Sequence, residues 1–269
     1  MNPVEAYYDE KVEHEWQRLE RHRTEFAVTM QVLKDHLPPP PATILDIGGG
    51  PGRYAIALAD QGYAVTLVDL SSKNIAFARA KAAEMGVELA DTVQANALDL
   101  SILGKREYDS VLMLGPLYHL LTSAERLQAV TEARQRLKID APFFAAFISR
   151  FAAFRDAAKR DPHWVIRQPA YIADLLATGR HTQIGADVMN RFTNAYFAHP
   201  SEIEPLMQKA GLTIKTVVGC EGVVAGNEEA VNALTGDDWQ MWVDLNYQIG
   251  QDPTSHGAAD HLLYVGVKA

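Results

Sequence analysis

The stretch ILDIGGGPGRYA, residues 44–55, decides the fold. An apolar run ends at Ile47, four glycines and a proline fill residues 48–52, and a helical pattern begins at Arg53. Glycine is needed where the backbone takes unusual dihedral angles or where a ligand approaches it without a Cβ in the way. In an open α/β sheet such a turn lies outside the carboxyl ends of the strands, where ligands bind. The stretch therefore predicts a strand, a ligand-binding turn and a helix; a tight turn without a ligand is the alternative.

Strand and helix patterns alternate on both sides of this turn. Short apolar runs predict strands at residues 43–47, 64–68, 87–94, 108–114, 142–148, 213–218 and 261–267. Helical patterns lie between them at residues 53–61, 71–85, 123–137 and 201–210. Such alternation implies right-handed parallel crossovers and a sheet covered by helices on both faces. We predict an α/β fold with a doubly wound, mostly parallel seven-stranded sheet.

The remaining segments predict a lid and a cap. Apolar residues recur every three to four positions over residues 4–37, which predicts one helix, and the four prolines at 38–41 end it. Residues 151–198 are helical and aromatic and show no strand pattern. The predicted organisation is an N-terminal helical lid and linker (1–41), a cofactor-binding core (42–150), a cap insertion (151–198) and the end of the core (199–269) with an irregular insertion (222–258).

Composition narrows the class of protein. The 269 residues carry 25 Lys and Arg against 34 Asp and Glu, a net charge of −9 without a dense basic run, so no nucleic-acid partner is expected. The single cysteine, Cys220, excludes an internal disulfide and a multi-cysteine metal cage, and the histidines show no metal-ligand spacing. The N-terminus has no apolar signal core, and no apolar run reaches the roughly 18 residues that span a bilayer. We expect a cytoplasmic protein without a membrane span or a bound metal.

Two ligand classes suit a glycine turn after a strand. The dinucleotide pattern G-x-G-x-x-G/A is matched literally by residues 50–55, but Gly48 and Gly49 have already left the strand before its first glycine. Counted from Gly48, Arg53 replaces the third dinucleotide glycine, and its bulk and charge suit close helix–strand packing badly. Residues 7–11 contain a Tyr-x-x-x-Lys pair, but it precedes the turn, whereas in nicotinamide dehydrogenases it follows. A nicotinamide-dependent oxidoreductase is therefore the disfavoured alternative.

Residues 45–52, LDIGGGPG, resemble the first motif of the class I S-adenosylmethionine-dependent methyltransferases. The resemblance implies that the glycines admit the methionine end of the cofactor and that Asp46 orients its polar groups. Asp69 ends the second strand, where the family's acid holds the ribose hydroxyls, and a carboxylate can accept a hydrogen bond from both. Leu70 would flank the adenine. The cofactor residues that this motif pair implies are Asp46, Gly48, Gly50, Gly52, Arg53, Asp69 and Leu70.

Two further segments carry the resemblance. Residues 94–98, QANAL, resemble the adenine-contacting segment after the third strand, with Asn96 where many relatives carry Asp. Residues 113–120, MLGPLYHL, resemble the fourth motif, where the strand end approaches the methionine amine. The cofactor residues that they imply are Asn96, Ala97, Leu114 and Gly115. Together the motifs imply a Rossmann-like fold and S-adenosyl-L-methionine as the cofactor.

His119 is the candidate catalytic residue. It follows the fourth strand, where cofactor and acceptor should meet, and an imidazole with a pKa near neutrality can take a proton from an attacking hydroxyl or amine. A histidine that caps the next helix is the alternative. Other residues could either contact the acceptor or pack the lid and the cap: Tyr7, Tyr8, Tyr118, Arg150, Trp164 and Tyr196.

These motifs predict an enzyme that moves the methyl group of S-adenosylmethionine to an oxygen or nitrogen atom of a small molecule. The reaction would be an in-line attack on the sulfonium methyl group. The rival hypotheses are the nicotinamide-dependent oxidoreductase and a non-catalytic Rossmann-like ligand-binding protein. The sequence leaves the identity of the methyl acceptor open.

Overall fold

A seven-stranded sheet forms the centre of the protein in the computed structural model, which describes residues 3–182 and 193–268. The strands are β1 (Thr43–Ile47), β2 (Ala64–Asp69), β3 (Asp91–Gln94), β4 (Ser110–Met113), β5 (Pro142–Ile148), β6 (Arg180–His181), β7 (Ala195–Tyr196), β8 (Leu212–Gly219) and β9 (His261–Lys268). Seven of these strands form the main sheet, in the order β3-β2-β1-β4-β5-β9-β8, and β6 and β7 pair with each other outside it. Adjacent strands in this sheet run parallel, except that β9 runs antiparallel to both β5 and β8. The predicted doubly wound, mostly parallel seven-stranded sheet is confirmed.

Helices cover both faces of this sheet. They are α1 (Pro3–Asp9), α2 (Val12–Arg21), α3 (Arg23–His36), α4 (Arg53–Asp60), α5 (Ser72–Glu84), α6 (Ser123–Gln135), α7 (Ala152–Arg160), α8 (Trp164–Arg167), α9 (Pro169–Thr178), α10 (Pro200–Lys209), α11 (Glu228–Asn232) and α12 (Gly236–Gly250). Ser71 caps α5 as predicted, because its side chain accepts a hydrogen bond from the Asn74 N–H. Within the described residues, none of these helices combines the length and the apolar character needed to cross a bilayer.

Alternate residues of β1 explain the two covered faces. Leu45 and Ile47 pack into a core with α6 and α10, whereas Ile44 packs into a second core with α3, α4 and α12. Successive side chains of a strand point to opposite faces, so an unbroken apolar run suits a strand that is buried on both. The parallel strands β1 to β4 consequently end at one edge of the sheet, which is where the functional side chains gather.

The prediction of one helix over residues 4–37 is wrong, because the segment folds into α1, α2 and α3. The breaks lie at Lys11 and His22, whose backbones leave the helical region at φ −126° and ψ 19° and at φ −110° and ψ 54°. Neither break carries a glycine or a proline, so no local signal marks it. The bends let α2 and α3 bury Trp16 and Val28 in different clusters of the protein.

Two other predictions also need correction. Residues 222–258 are not irregular: they contain α11 and the 15-residue α12, which buries Val243 and Asn246. The cap region also has strands, because β6 pairs antiparallel with β7. Residues 183–192 of the predicted cap lie outside the described residues, and the division of the chain into lid, core and cap stays a prediction.

Candidate active site

A cavity of about 490 Å³ lies at the edge of the sheet where β1, β2, β3 and β4 end. Its turn side is formed by strand ends and the glycine turn, with Asp46, Gly48, Gly50, Asp69 and Asn96. Its lid side is formed by α1, the loop after β4 and the neighbourhood of β6 and β7, with Tyr8, Tyr118, His119, Arg180 and Asn194. Ligand sites of open α/β sheets lie at this position.

The glycine turn follows β1, is held by a backbone hydrogen bond and lines the cavity. The Gly48 N–H donates to the Val68 carbonyl over 2.7 Å. An added Cβ on Gly48 would lie 2.5 Å from the Pro116 ring, so this glycine is required by packing. Gly50 has φ +58°, but an added Cβ there would meet only Asn74 Nδ2, at 4.0 Å. Gly50 therefore forms an open cradle in which a ligand can approach the backbone.

Asp46 lies on β1, is fully buried and lines the cavity. Among the described residues, neither of its carboxylate oxygens has a hydrogen-bond partner. Burial raises the pKa of Asp46 and the charge of Asp69 raises it further, to about 7. A buried carboxylate is costly unless a cation or a donor meets it. The position therefore fits the ammonium group of S-adenosylmethionine.

Asp69 ends β2 and closes the turn from its other side. Its Oδ2 accepts the Gly50 N–H over 2.8 Å, and its Oδ1 accepts the Ser71 N–H over 2.8 Å and the Asn74 side-chain amide over 3.1 Å. Burial raises its pKa while these hydrogen bonds lower it, and the net change is upward. A carboxylate has about four lone-pair sites and three are used here, so Asp69 can hold the turn and still accept a hydrogen bond from one ribose hydroxyl.

The other predicted cofactor segments line the cavity as well. Asn96 Oδ1 accepts the Leu98 N–H over 3.0 Å and so shapes the turn after β3. An added Cβ on Gly115 would lie 2.7 Å from the Gly48 carbonyl oxygen, so the loop after β4 packs against the glycine turn. Further lining residues that the sequence predicted are Leu70, Ala97 and Leu114.

Gly52 is the exception among the predicted cofactor residues, because it is not one of the described residues that line the cavity. Its φ is +88°, and an added Cβ would lie 3.0 Å from the Ala78 Cβ. Gly52 therefore lets α4 start close to α5. Its role is in packing and not in direct ligand contact.

Two arginines line the cavity near the glycine turn, and sequence reasoning identified only one. The predicted Arg53 forms an ion pair with Glu20 at 3.2 Å and covers the Trp16 ring. The unpredicted Arg18 is held on both of its terminal nitrogens by Glu25, at 2.6 and 3.0 Å. No motif marks Arg18, which reads as an ordinary charged position on an amphipathic helix.

His119 faces the lid side of the cavity. Its Nε2 lies 2.7 Å from the Tyr8 hydroxyl, and its ring packs edge-on against Tyr118. Burial lowers the pKa of His119 to about 4, and a backbone hydrogen bond with Asn194 opposes that shift only partly. The expectation of a pKa near neutrality is therefore wrong, because sequence cannot show how completely the fold removes this ring from water.

The predicted acceptor residues separate into two groups. Tyr8 and Tyr118 line the cavity, whereas Tyr7 is not among its described lining residues and packs edge-on against Tyr8. Arg150 is buried away from the cavity, where its guanidinium donates to both carboxylate oxygens of Glu202 over 2.7 Å. The prediction that Arg150 binds the acceptor is therefore wrong, because the charge of Arg150 is paired with that of Glu202 away from the cavity.

Trp164 and Tyr196 are packing residues in this structure. Trp164 is 2% exposed and stands against Phe154 and Tyr171 inside the cap. Tyr196 packs under the Arg126 guanidinium and donates to Glu202. Neither belongs to the described lining of the cavity. The lid-side residues that the sequence did not indicate are Leu120, Leu121, Thr122, Glu125, Arg180, Thr193 and Asn194.

Comparisons with known proteins agree with this geometry. A family profile described as "Methyltransferase domain" matches residues 44–140, which contain the glycine turn, Asp69 and His119. The chain is therefore an enzyme with an S-adenosylmethionine-dependent methyltransferase domain. The enzyme transfers the methyl group of S-adenosylmethionine, as the motifs predicted. The oxidoreductase alternative is not favoured.

Relatives of this methyltransferase include two proteins named ubiquinone biosynthesis O-methyltransferase. The one from Paramagnetospirillum magneticum is 28% identical over 210 residues, which are 77% of this chain and 70% of the relative. The one from Caulobacter vibrioides is 33% identical over 125 residues, which are 46% of this chain and 48% of the relative. The second match therefore spans about half of either protein.

Solved structures share the fold of this methyltransferase. An S-adenosylmethionine-dependent methyltransferase from Methanosarcina mazei aligns with a TM-score of 0.58 and 18% identity over 88% of this chain and 96% of its own. A possible histamine N-methyltransferase from Thermotoga maritima aligns with a TM-score of 0.60 and 18% identity over 98% of this chain and 99% of its own. At this identity the likeness concerns the fold alone.

Proposed function

We propose that this methyltransferase acts on a hydroxyl oxygen of a small aromatic molecule and uses His119 as the general base. The observation that carries the proposal is the environment of His119. Burial lowers its pKa to about 4, so the imidazole is neutral at physiological pH, and Nε2 lies 2.7 Å from the Tyr8 hydroxyl. A neutral imidazole nitrogen that lies against one aromatic hydroxyl can accept a hydrogen bond, and then a proton, from another hydroxyl in its place.

The chemistry needs such a base more for a hydroxyl than for an amine. When bound, S-adenosylmethionine supplies an electrophilic methyl group on a positively charged sulfur. The acceptor hydroxyl would give its proton to His119 Nε2 as its oxygen takes the methyl group, so the products would be a neutral ether and the demethylated thioether of the cofactor. A neutral amine attacks through its free lone pair and can lose its proton to water afterwards.

We assign the turn-side residues to the cofactor. Asp46 would accept hydrogen bonds from the methionine ammonium, Asp69 would accept one from a ribose hydroxyl, and Leu70, Asn96 and Ala97 would contact the adenine. Gly48, Gly50, Leu114 and Gly115 would offer backbone to the methionine end. The supporting observations are the unpartnered carboxylate of Asp46 and the open cradle at Gly50. Alignment of the two reactants would supply most of the rate.

The residues that line the lid side of the cavity indicate the chemical class of the acceptor. Tyr8, Tyr118, Leu120 and Leu121 offer aromatic and apolar surface, and Thr122 and Asn194 add polar groups. Sites of this mixed character hold small, largely apolar molecules in a defined orientation. The names of the two O-methyltransferase relatives support oxygen as the acceptor atom. Tyr8 and Tyr118 would contact the acceptor directly.

The expectations of a cytoplasmic location and of no nucleic-acid partner stay predictions, supported by the net charge of −9 and the single buried thiol. Rings that carry hydroxyl groups, such as catechol, are the first acceptors to test. Histamine provides a nitrogen acceptor of comparable size for the same assay.

The test measures methyl transfer to catechol and to histamine by the parent protein, His119→Ala and His119→Gln. We expect methylated catechol from the parent and a loss of turnover of roughly 10²–10⁴-fold in both variants, as for other general bases. Binding of S-adenosylhomocysteine should stay unchanged. Variants that keep most of the parent's turnover on catechol would remove His119 from the mechanism, and transfer to histamine alone would overturn the choice of oxygen.

A further inference from the structure

A network of five charged side chains lies behind the cavity, where three separate parts of the chain meet; they are Glu15, Arg18, Glu25, Glu221 and His261. Arg18 on α2 pairs with Glu25 on α3, and Glu25 Oε2 also lies 3.6 Å from Nδ1 of His261, the first residue of β9. The same imidazole nitrogen forms a hydrogen bond with one carboxylate oxygen of Glu221. The other oxygen of Glu221 accepts the backbone N–H of His261 over 2.8 Å. Glu25 is 6% exposed and Glu221 is 1% exposed.

Opposite charges shift the pKa values within this network. Burial lowers the pKa of His261, but the carboxylates of Glu221 and Glu25 outweigh burial and raise it to about 9, so the imidazole is protonated at neutral pH. Burial raises the pKa of Glu25, but Arg18 and His261 outweigh it and lower it to about 2. Burial also raises the pKa of Glu221, and the charge of His261 opposes that shift.

The protonated His261 shares Glu25 with Arg18. The charge of Glu25 is therefore divided between two cations, while Glu15 lies 3.6 Å from Arg18 Nε as a second carboxylate. Glu25 engages one N–H on each terminal nitrogen of Arg18, so one further N–H remains on each of these two nitrogens. The side chain of Arg18 keeps 27% exposure and lines the cavity, as do Asp46 and Tyr54.

We propose that Glu25, Glu221 and His261 position Arg18 to bind the carboxylate group of the cofactor's methionine end. Arg18 would then face the carboxylate while Asp46 faces the ammonium of the same amino acid. A guanidinium whose orientation is fixed by a buried bidentate partner loses less freedom when it binds a second carboxylate. Arg53 is the less suitable cation, because its partner Glu20 is 55% exposed and does not hold it on two nitrogens.

The test compares two ligands that differ only in this carboxylate: S-adenosylmethionine and decarboxylated S-adenosylmethionine. Calorimetry measures the ratio of their affinities for the parent, Arg18→Met, Arg18→Lys, Glu25→Gln and His261→Gln. We expect the parent to prefer the carboxylate form by about ten- to a hundredfold, the usual value of one charge-assisted pair. Arg18→Met should bring the ratio close to one, and Arg18→Lys should restore part of it.

The positioning residues are tested by the same ratio. Glu25→Gln and His261→Gln should lower it several-fold, whereas Arg21→Gln, the matched control on the same helix α2 but outside the described cavity lining, should leave it unchanged. A variant in which both affinities fall equally would show a merely structural role, and an unaltered ratio in Arg18→Met would overturn the proposal. If Glu25→Gln does not fold, the Arg18→Met and Arg18→Lys pair still decides. A parent that binds neither ligand would contradict the cofactor assignment itself.

Discussion

The turn side and the lid side of the cavity consist of different kinds of chemical groups. The turn side consists of backbone and short side chains at the ends of central strands, and Gly48, Asp46 and Asp69 all lie within 24 consecutive residues. The lid side consists of longer side chains from distant segments, and its central contact joins Tyr8 to His119 across 111 residues. On the proposed assignment, the cofactor would contact groups with little freedom to move, whereas the acceptor would contact groups whose positions depend on how the lid packs.

The strongest test of this comparison on the turn side is Asp46→Asn. We expect the affinity for S-adenosylhomocysteine to fall about ten- to a hundredfold, because a charged acceptor for the ammonium is lost. The pKa of Asp46 is raised to about 7 in the folded protein, so the parent's affinity should weaken as pH falls below 7. The variant should lack that dependence. Calorimetry from pH 5.5 to 7.5 measures both.

The same variant should change stability in the opposite direction. Because the folded pKa of Asp46 lies above its unfolded value of about 3.9, the folded state holds more protons between the two, and the parent loses stability as pH rises through this window. Asp46→Asn removes this loss. Without ligand, the variant should melt above the parent at pH 8, and the difference should shrink towards pH 4. Equal melting at both pH values would show that Asp46 is not an uncompensated buried acid.

A smaller effect is expected at Gly50, the open cradle of the turn side. Gly50→Ala should weaken S-adenosylhomocysteine binding roughly 3- to 30-fold, because a methyl group would enter the cavity, while the cost of a positive φ stays near 1 kcal/mol. Gly86→Ala is the matched control, since Gly86 also has a positive φ, at +70°, and an added Cβ meets nothing within 4 Å. Both variants should lose similar stability. Equal binding by the two would place the ligand away from this backbone.

The smallest effect is expected on the lid side, for Tyr8→Phe. Loss of the hydrogen bond to His119 should loosen α1 and speed cofactor dissociation about 2- to 10-fold, the range for one neutral hydrogen bond. Stopped-flow displacement of the cofactor measures this rate. Tyr7→Phe is the control, because Tyr7 is next in sequence but is not among the described lining residues. If Tyr7→Phe speeds dissociation as much as Tyr8→Phe, the lid is not held by the His119 contact.

The outcome for individual residues shows where sequence reasoning ends. The position of Asp46, Gly50 and Asp69 at the cavity was predictable because each lies at or within three residues of a strand end, and parallel strands bring those ends together. Arg150 also follows a strand, yet the structure turns it into an internal ion pair with Glu202. Arg18 carries no local signal, and only the docking of α2 on the sheet places it at the cavity.

The sequence by itself determined the order of the strands along the chain, the glycine turn and the acids beside it, and the resemblance of these motifs to a known family implied the cofactor. These features depend on spacing within short segments, which local steric and hydrogen-bonding rules govern. Only the tertiary structure decided how the N-terminal segment bends into α1, α2 and α3, which aromatic residues reach the cavity, and that burial lowers the pKa of His119 to about 4. Burial and charge arise from contacts between residues that are far apart in the chain, so no local pattern contains them.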